Sequence, residues 1–187
     1  MAKGDSPLNG EKIYESIKHY KYYKEGTVKK IAIITCSNVK NELGCPAVGC
    51  LAFLNARKGS FARYDDGVEL VGMATCAGCP TILAPKKILT KIKPLVELAQ
   101  AQVIHLSTCM VSLCPFAKKY ESIIKEKYPE VEIVKGTDEL GDEALIRLAK
   151  AVKKMLTYDQ PDITEEYLKA ISHEELMKAV STKDRQD

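Results

Sequence analysis

Seven cysteines carry the chemistry that can be read from this chain: Cys36, Cys45, Cys50, Cys76, Cys79, Cys109 and Cys114. Their centre is Thr75-Cys76-Ala77-Gly78-Cys79-Pro80, two thiols on a small flexible spacer directly after an apolar run. A lone C-x-x-C serves redox pairs, half zinc sites and iron–sulfur loops alike, so its meaning depends on where the other five fall. Soft-metal ligation and attack on a disulfide both require the thiolate, so whatever removes the thiol proton matters first. Three of the cysteines precede proline: Cys45-Pro46, Cys79-Pro80 and Cys114-Pro115. Proline suits the first helical position, so each of these cysteines is expected to cap a helix whose positive end favours thiolate. Pro85 offers a second start for the middle helix.

The elements that must position these thiols follow from hydrophobic periodicity. Ile31-Ala32-Ile33-Ile34 is a continuous apolar run, as expected of a strand covered on both faces, and it leads to Cys36. A polar loop, Ser37 to Gly44, separates it from a helix opened by Cys45-Pro46 and carrying Val48, Leu51, Ala52 and Phe53. A second strand, Val68 to Ala74, runs into Cys76 and Cys79, then into a helix bearing Ile88, Ile92, Leu95 and Val96 that Pro94 should kink or split. A third, Val103 to Ser107, precedes Cys109, Cys114 and a helix with the stripe Phe116, Tyr120, Ile123 and Ile124. A fourth, Val131 to Val134, alternates like an edge strand, and the helix after Gly136-Thr137 carries Leu145, Leu148, Ala149 and Val152.

Alternation of this kind predicts one α/β domain: a four-stranded, mostly parallel sheet with helices on both faces, Rossmann-like or flavodoxin-like. The domain is expected over residues 28–157, with helical extensions over 1–27, including a helix from Glu11 to Lys24, and over 158–187. Within the latter, Ser172-His173-Glu174-Glu175 reads as a capping box ahead of Leu176. Ligands of such sheets bind beyond the carboxyl ends of the strands, and every cysteine lies after one of those ends, so the thiols are expected to share one crevice.

Composition narrows the function classes. The charges, 28 basic against 25 acidic, are spread too evenly for a nucleic-acid groove. No apolar run approaches the roughly 20 residues of a membrane span. The polar amino terminus lacks an apolar leader core, so a reducing cytoplasm is expected, where an odd number of cysteines favours metal or thiol chemistry over a disulfide scaffold. Cys76, Cys79, Cys109 and Cys114, on two adjacent loops, would close a tetrahedral zinc site and leave three thiols spare. An iron–sulfur cluster takes four thiolates too, and the spare thiols would then serve a second cluster or sulfur handling. The alternative is a redox or iron–sulfur enzyme for a small sulfur-containing substrate, with Cys76 attacking and Cys79 resolving. His105, mid-strand, reads as a hydrogen-bonded core histidine, with a place beside the metal as the other reading. Lys86, Lys87, Lys118 and Lys119 follow the cysteine loops and read as a solvated face or an anion site.

Cys36, the Cys45 and Cys50 pair, Cys76-Ala77-Gly78-Cys79-Pro80 and Ile104-His105-Leu106-Ser107-Thr108-Cys109 followed by Cys114-Pro115 resemble the CGGC-domain family over roughly residues 29 to 140. The resemblance implies a metal-binding protein, zinc in the first place and an iron–sulfur cluster in the second, with all seven cysteines as candidate ligands. It also leaves room for a small-molecule ligand. Two departures stand out: the namesake Cys-Gly-Gly-Cys is Cys-Ala-Gly-Cys, and the family's Gly-Thr-His after the fourth strand is Gly136-Thr137-Asp138. Ala77 is a minor change if its φ is negative; Asp138 removes a ligand or replaces nitrogen by oxygen.

Overall fold

The computed structural model describes residues 28–155 and 172–181 apart from Asp66, Pro80 and Leu140. The expected helix from Glu11 to Lys24 and the stretch 156–171 lie outside the described residues. Four parallel strands form one sheet in the order β2-β1-β3-β4. They are β1 (Lys29–Thr35), β2 (Val68–Thr75), β3 (Val103–Leu106) and β4 (Glu132–Lys135). Ile31, Ala32, Ile33 and Ile34 are all fully buried, which is why β1 carries apolar residues on both faces and stands in the middle of the sheet. Only Val134 of β4 is buried, as an edge strand allows.

Helices cover both faces. On one, Ala32, Ile34, Ile104 and Leu106 pack against Ile88 and Ile92 of α3 (Ala84–Lys93) and Tyr120 and Ile124 of α5 (Ala117–Lys127). On the other, Ile31, Ile33, Val103 and Val134 meet Phe53 and Leu54 of α2 (Val48–Ala56), Phe61, Tyr64 and Leu176 of α7 (His173–Ser181). The capping box forms as read: the Glu175 N–H donates to Ser172 Oγ at 3.1 Å, and the Ser172 N–H donates to Glu175 Oε2 at 3.2 Å.

Proline punctuation acts through backbone geometry. Pro94 does not break the helix outright; it starts a π-helical segment, Pro94–Leu98, that continues α3. That segment lies so close to β2 that a Cβ on Gly72 would stand 2.6 Å from Leu95 Cδ2. Gly72 follows a register shift between β1 and β2, so a bulge and a missing side chain together admit the helix.

The other departures fall where the chain leaves the strands. The polar loop after β1 holds a short helix, α1 (Ser37–Asn41). None of the three Cys-Pro pairs opens a helix. The caps are Ala47 for α2, Leu83 for α3, which carries Pro85 in its first turn, and Phe116 for α5. Ala47 takes a left-handed φ of 65° directly after Pro46, which ends any helix begun at Cys45. Cys114 instead ends α4 (Thr108–Leu113). Among the described side chains of α6 (Asp142–Met155), Ala144, Leu148 and Ala151 are buried, while Ala149 of the predicted stripe is exposed. Leu148 packs on Val39 and Leu43 rather than on the sheet. Among the described residues no helix is long and apolar enough to cross a membrane.

His105 has its place in this core. Its Nδ1–H donates to the Gly136 carbonyl at 3.0 Å, so the unprotonated Nε2 accepts from the Tyr64 hydroxyl at 2.6 Å. Burial is the main cause that lowers its pKa to about 4. The unfolded chain binds this proton near pH 6.5 and the folded chain does not, so stability falls as pH drops from about 6.5 to 4. The expected loss is about 3 kcal/mol in full, read from urea unfolding at pH 7 and pH 4. His105→Gln should lower stability at pH 7 and flatten that dependence; an unchanged slope would remove His105 as its source.

Candidate functional site

The sheet order reverses between β1 and β3, so the chains leaving these strands diverge and open a crevice beyond their carboxyl ends. Cys76, the first residue past β2, is anchored by its N–H on the Thr35 carbonyl at 2.8 Å and is 2% exposed. Its sulfur accepts the Cys36 thiol and the N–H groups of Ser37, at 3.3 Å, and Gly78. Lys91, which donates to Thr75 Oγ1, adds a positive charge nearby. The Cys36 hydrogen bond is the largest of these effects, and together they outweigh burial and bring the Cys76 pKa down to about 6. Cys36 holds the proton it donates, and its own acidity is pushed far down, first by that bond and then by burial. The pair shares one proton, with Cys76 as the thiolate.

Two further thiols and a tyrosine complete this group. Cys79 is exposed and Cys114 is partly buried; burial first, then the charge on Cys76, keeps both protonated. Tyr120 is fully buried, and its hydroxyl has no hydrogen-bond partner among the described residues. Burial raises its pKa to about 12, with added repulsion from Cys76, Cys114, Cys79 and Cys36 in that order. Four sulfurs therefore bear on one hydroxyl without a partner among the described residues.

The remaining thiols form a second group across the crevice. Cys50 Sγ lies 3.3 Å from Thr137 Oγ1, Cys109 Sγ lies 3.1 Å from Ser107 Oγ, and Cys45 Sγ accepts the Ala47 N–H at 3.4 Å. Burial raises the pKa of Cys109, and brings that of Cys50 to about 12; Asp138 adds to both. Thr108 Oγ1 accepts the N–H groups of Thr137 and Asp138, both at 3.1 Å, and donates to the Asp138 carbonyl at 3.0 Å, joining the turn after β3 to that after β4. Cys36 touches both groups, through its thiol to Cys76 and through its main chain to Cys109.

The thiols thus share one end of the sheet but not one constellation. Cys109 faces Cys45 and Cys50, and Cys36 takes the position expected of it beside Cys76, Cys79 and Cys114. As the side chains stand, no set of three or more His, Cys, Asp or Glu among the described residues is close enough together to hold a metal ion. Cys36, Cys76, Cys79 and Cys114 are the donor set that could receive one, because Cys36 and Cys76 are hydrogen-bonded and the charges of all four bear on the Tyr120 hydroxyl. Of the Cys76–Cys79 pair, Cys79 is the exposed sulfur, while buried Cys76 has the lower pKa. Lys86, Lys87, Lys118 and Lys119 are exposed and form a solvated face. Tyr120 and Lys91 were not legible as site residues, since one reads as a helix stripe and the other as a surface charge.

A family model described as the CGGC domain matches residues 30–138. The chain belongs to the CGGC-domain family. It is also similar to an uncharacterized protein of Methanocaldococcus jannaschii, 37% identical over 110 residues that span 56% of this chain and 80% of that protein. No solved structure matches. The departure from the CGGC motif follows its backbone: among the described residues the left-handed non-glycine positions are Ala47, Arg57 and Gln100, not Ala77, whereas Gly78 has φ +84°. A side chain is admitted at the first position of the CGGC spacer and not at the second.

Two outcomes test this geometry. Thiolate absorbance should show one group titrating near pH 6, absent in Cys76→Ser and moved toward the ordinary value of about 8.5 in Cys36→Ala. An unmoved midpoint in Cys36→Ala would show that the two thiols do not share the proton. Gly78→Ala should cost about 1–2 kcal/mol in chemical denaturation, while Ala77→Gly should cost less than about 1 kcal/mol.

Proposed function

We propose that this protein binds one soft metal centre through Cys36, Cys76, Cys79 and Cys114, zinc before an iron–sulfur cluster. The observation that carries the reading is that the charges of these four thiols, from the connections after three strands, all bear on a Tyr120 hydroxyl left without a partner among the described residues. Four thiolates suit tetrahedral zinc and cubane clusters equally. Cys76 is already a thiolate and offers the first ligand. Cys36 must give up the proton it shares, and Cys79, on the surface, is the sulfur a metal meets first. The buried Tyr120 hydroxyl lies within electrostatic reach of these sulfurs and would donate to a ligating thiolate, as such outer hydrogen bonds do. A bound metal would supply a fixed positive charge to tie the three turns together.

Protein isolated without oxygen is expected to contain zinc near one per chain, or iron with acid-labile sulfide, measured by elemental and sulfide analysis. The Cys76→Ser, Cys79→Ser double variant should lose it, and Cys45→Ser should keep it. Metal-free protein, or a double variant with undiminished content, would end the reading.

A second reading rests on the low pKa of Cys76 beside an accessible partner. A small disulfide would exchange with deprotonated Cys79, releasing one thiolate and forming a mixed disulfide; Cys76 would then attack the Cys79 sulfur, releasing the second thiolate and closing a Cys76–Cys79 bond. A thiol count that drops by two after a small disulfide is added, and not in Cys79→Ser, would support it. An unchanged count would exclude it.

A further inference from the structure

The second group of thiols borders a cavity of about 220 Å³ that the metal reading leaves unused. Val39, Ala47, Leu148 and Leu176 give it apolar walls, and Cys45, Cys50 and Cys109 place sulfur on it. The side chains of Val48 and His173, both exposed, mark its mouth. Asp138 is the single acid among the described lining residues, and none of them is Lys or Arg.

The charge of that carboxyl is unmatched. Asp138 Oδ1 is buried and has no hydrogen-bond partner among the described residues. Burial raises its pKa, and only the hydroxyls of Thr108 and Thr137 and its own N–H work the other way, with no cation contributing. A buried carboxylate with one oxygen unpartnered and no counter-charge is costly and is ordinarily paired. Its position is nevertheless held: the Thr108 hydroxyl takes up its main chain on both sides, and a Cβ on Gly49 would come within 2.9 Å of Oδ2. Glycine at that place in α2 leaves the carboxyl its room.

Water in the cavity has few polar anchors beyond Asp138 and Ser172. A buried water needs about 2–4 polar partners, and the Cys50 and Cys109 sulfurs are already engaged by the Thr137 and Ser107 hydroxyls. Anions are disfavoured by the lone acid. The volume equals roughly seven waters at ~30 Å³ each and falls below the ~300 Å³ where drug-sized sites begin. We propose that the cavity binds a small aliphatic ammonium, its head on the Asp138 carboxylate and its chain between Val39, Leu148 and Leu176. The site stands apart from Cys36, Cys76, Cys79 and Cys114 and does not depend on their holding a metal.

The test uses the full chain and three probes of one length: n-butylammonium, 1-butanol and butyrate. Amide chemical shifts of Gly49, Cys50 and Leu148 should move saturably with n-butylammonium, at least tenfold more weakly with 1-butanol, and not with butyrate. Asp138→Asn should weaken n-butylammonium at least tenfold while keeping a dispersed spectrum; if that variant does not fold, Gly49→Ala, which crowds the carboxyl, should weaken it in the same direction. The Cys76→Ser, Cys79→Ser variant should bind n-butylammonium as the parent does, which separates failure here from failure of the metal reading. No saturable shift with any probe, equal binding of 1-butanol or butyrate, or undiminished binding by the Asp138 and Gly49 variants would overturn the proposal.

Discussion

One shared proton sets the character of the cysteine end of this molecule. Cys36 and Cys76 leave adjacent parallel strands at matched positions, Thr35 opposite Thr75, and the Cys76 N–H continues the ladder onto the Thr35 carbonyl. That one additional main-chain bond brings two thiols into contact in a place too dry for two charges. Placing the charge on Cys76 and the proton on Cys36 is the arrangement that the hydrogen bonds to the Cys76 sulfur sustain against burial. The neighbouring Cys79, Cys114 and Tyr120 keep their own protons first because burial disfavours their charged forms and then because a negative charge stands on Cys76.

The rest of the sheet serves to keep those strand ends fixed. Ile31 to Ile34 are sealed on both faces, and Val103 to Leu106 beside them are likewise buried, so the strands that open the crevice are the least yielding in the fold. Loop geometry beyond the strands is set by hydrogen bonds more than by packing. Thr108 ties the turn after β3 to the turn after β4, and the His105 imidazole ties Tyr64 to Gly136 one layer below. Rigid strands carrying hydrogen-bonded turns are a common way to hold reactive side chains at fixed spacing.

Much of this was legible in the sequence. A continuous apolar run marked β1, mainly apolar stretches marked β2 and β3, the alternation in Val131 to Val134 marked the edge, and an apolar setting marked His105 as a bonded core residue. The placement of every cysteine past a strand end located the site. The partition of the thiols was hidden, because a side chain's direction after a strand depends on one or two dihedral angles that composition does not encode. The short helix after Cys36, the left-handed Ala47 and the turn of α4 that carries Cys109 each redirect a sulfur. Cys-Pro failed as a helix signal for a related reason: proline fixes its own φ but does not oblige the next residue to continue. Tyr120 was visible as part of an apolar stripe, yet nothing local revealed that its hydroxyl end lies beneath the thiols.

The absence of a side chain at Gly72 reaches further than the local contact suggests. It lets Leu95 rest on the strand, and Leu95 stands one helical turn beyond Lys91, whose ammonium meets Thr75 next to Cys76. Strand and helix are therefore meshed like the teeth of a rack and pinion, with the glycine as the notch that sets their phase. Filling the notch would lift the helix and withdraw a positive charge from the sulfur, so the acidity of a thiol at one end of β2 is governed in part by a methyl group that is missing from its middle.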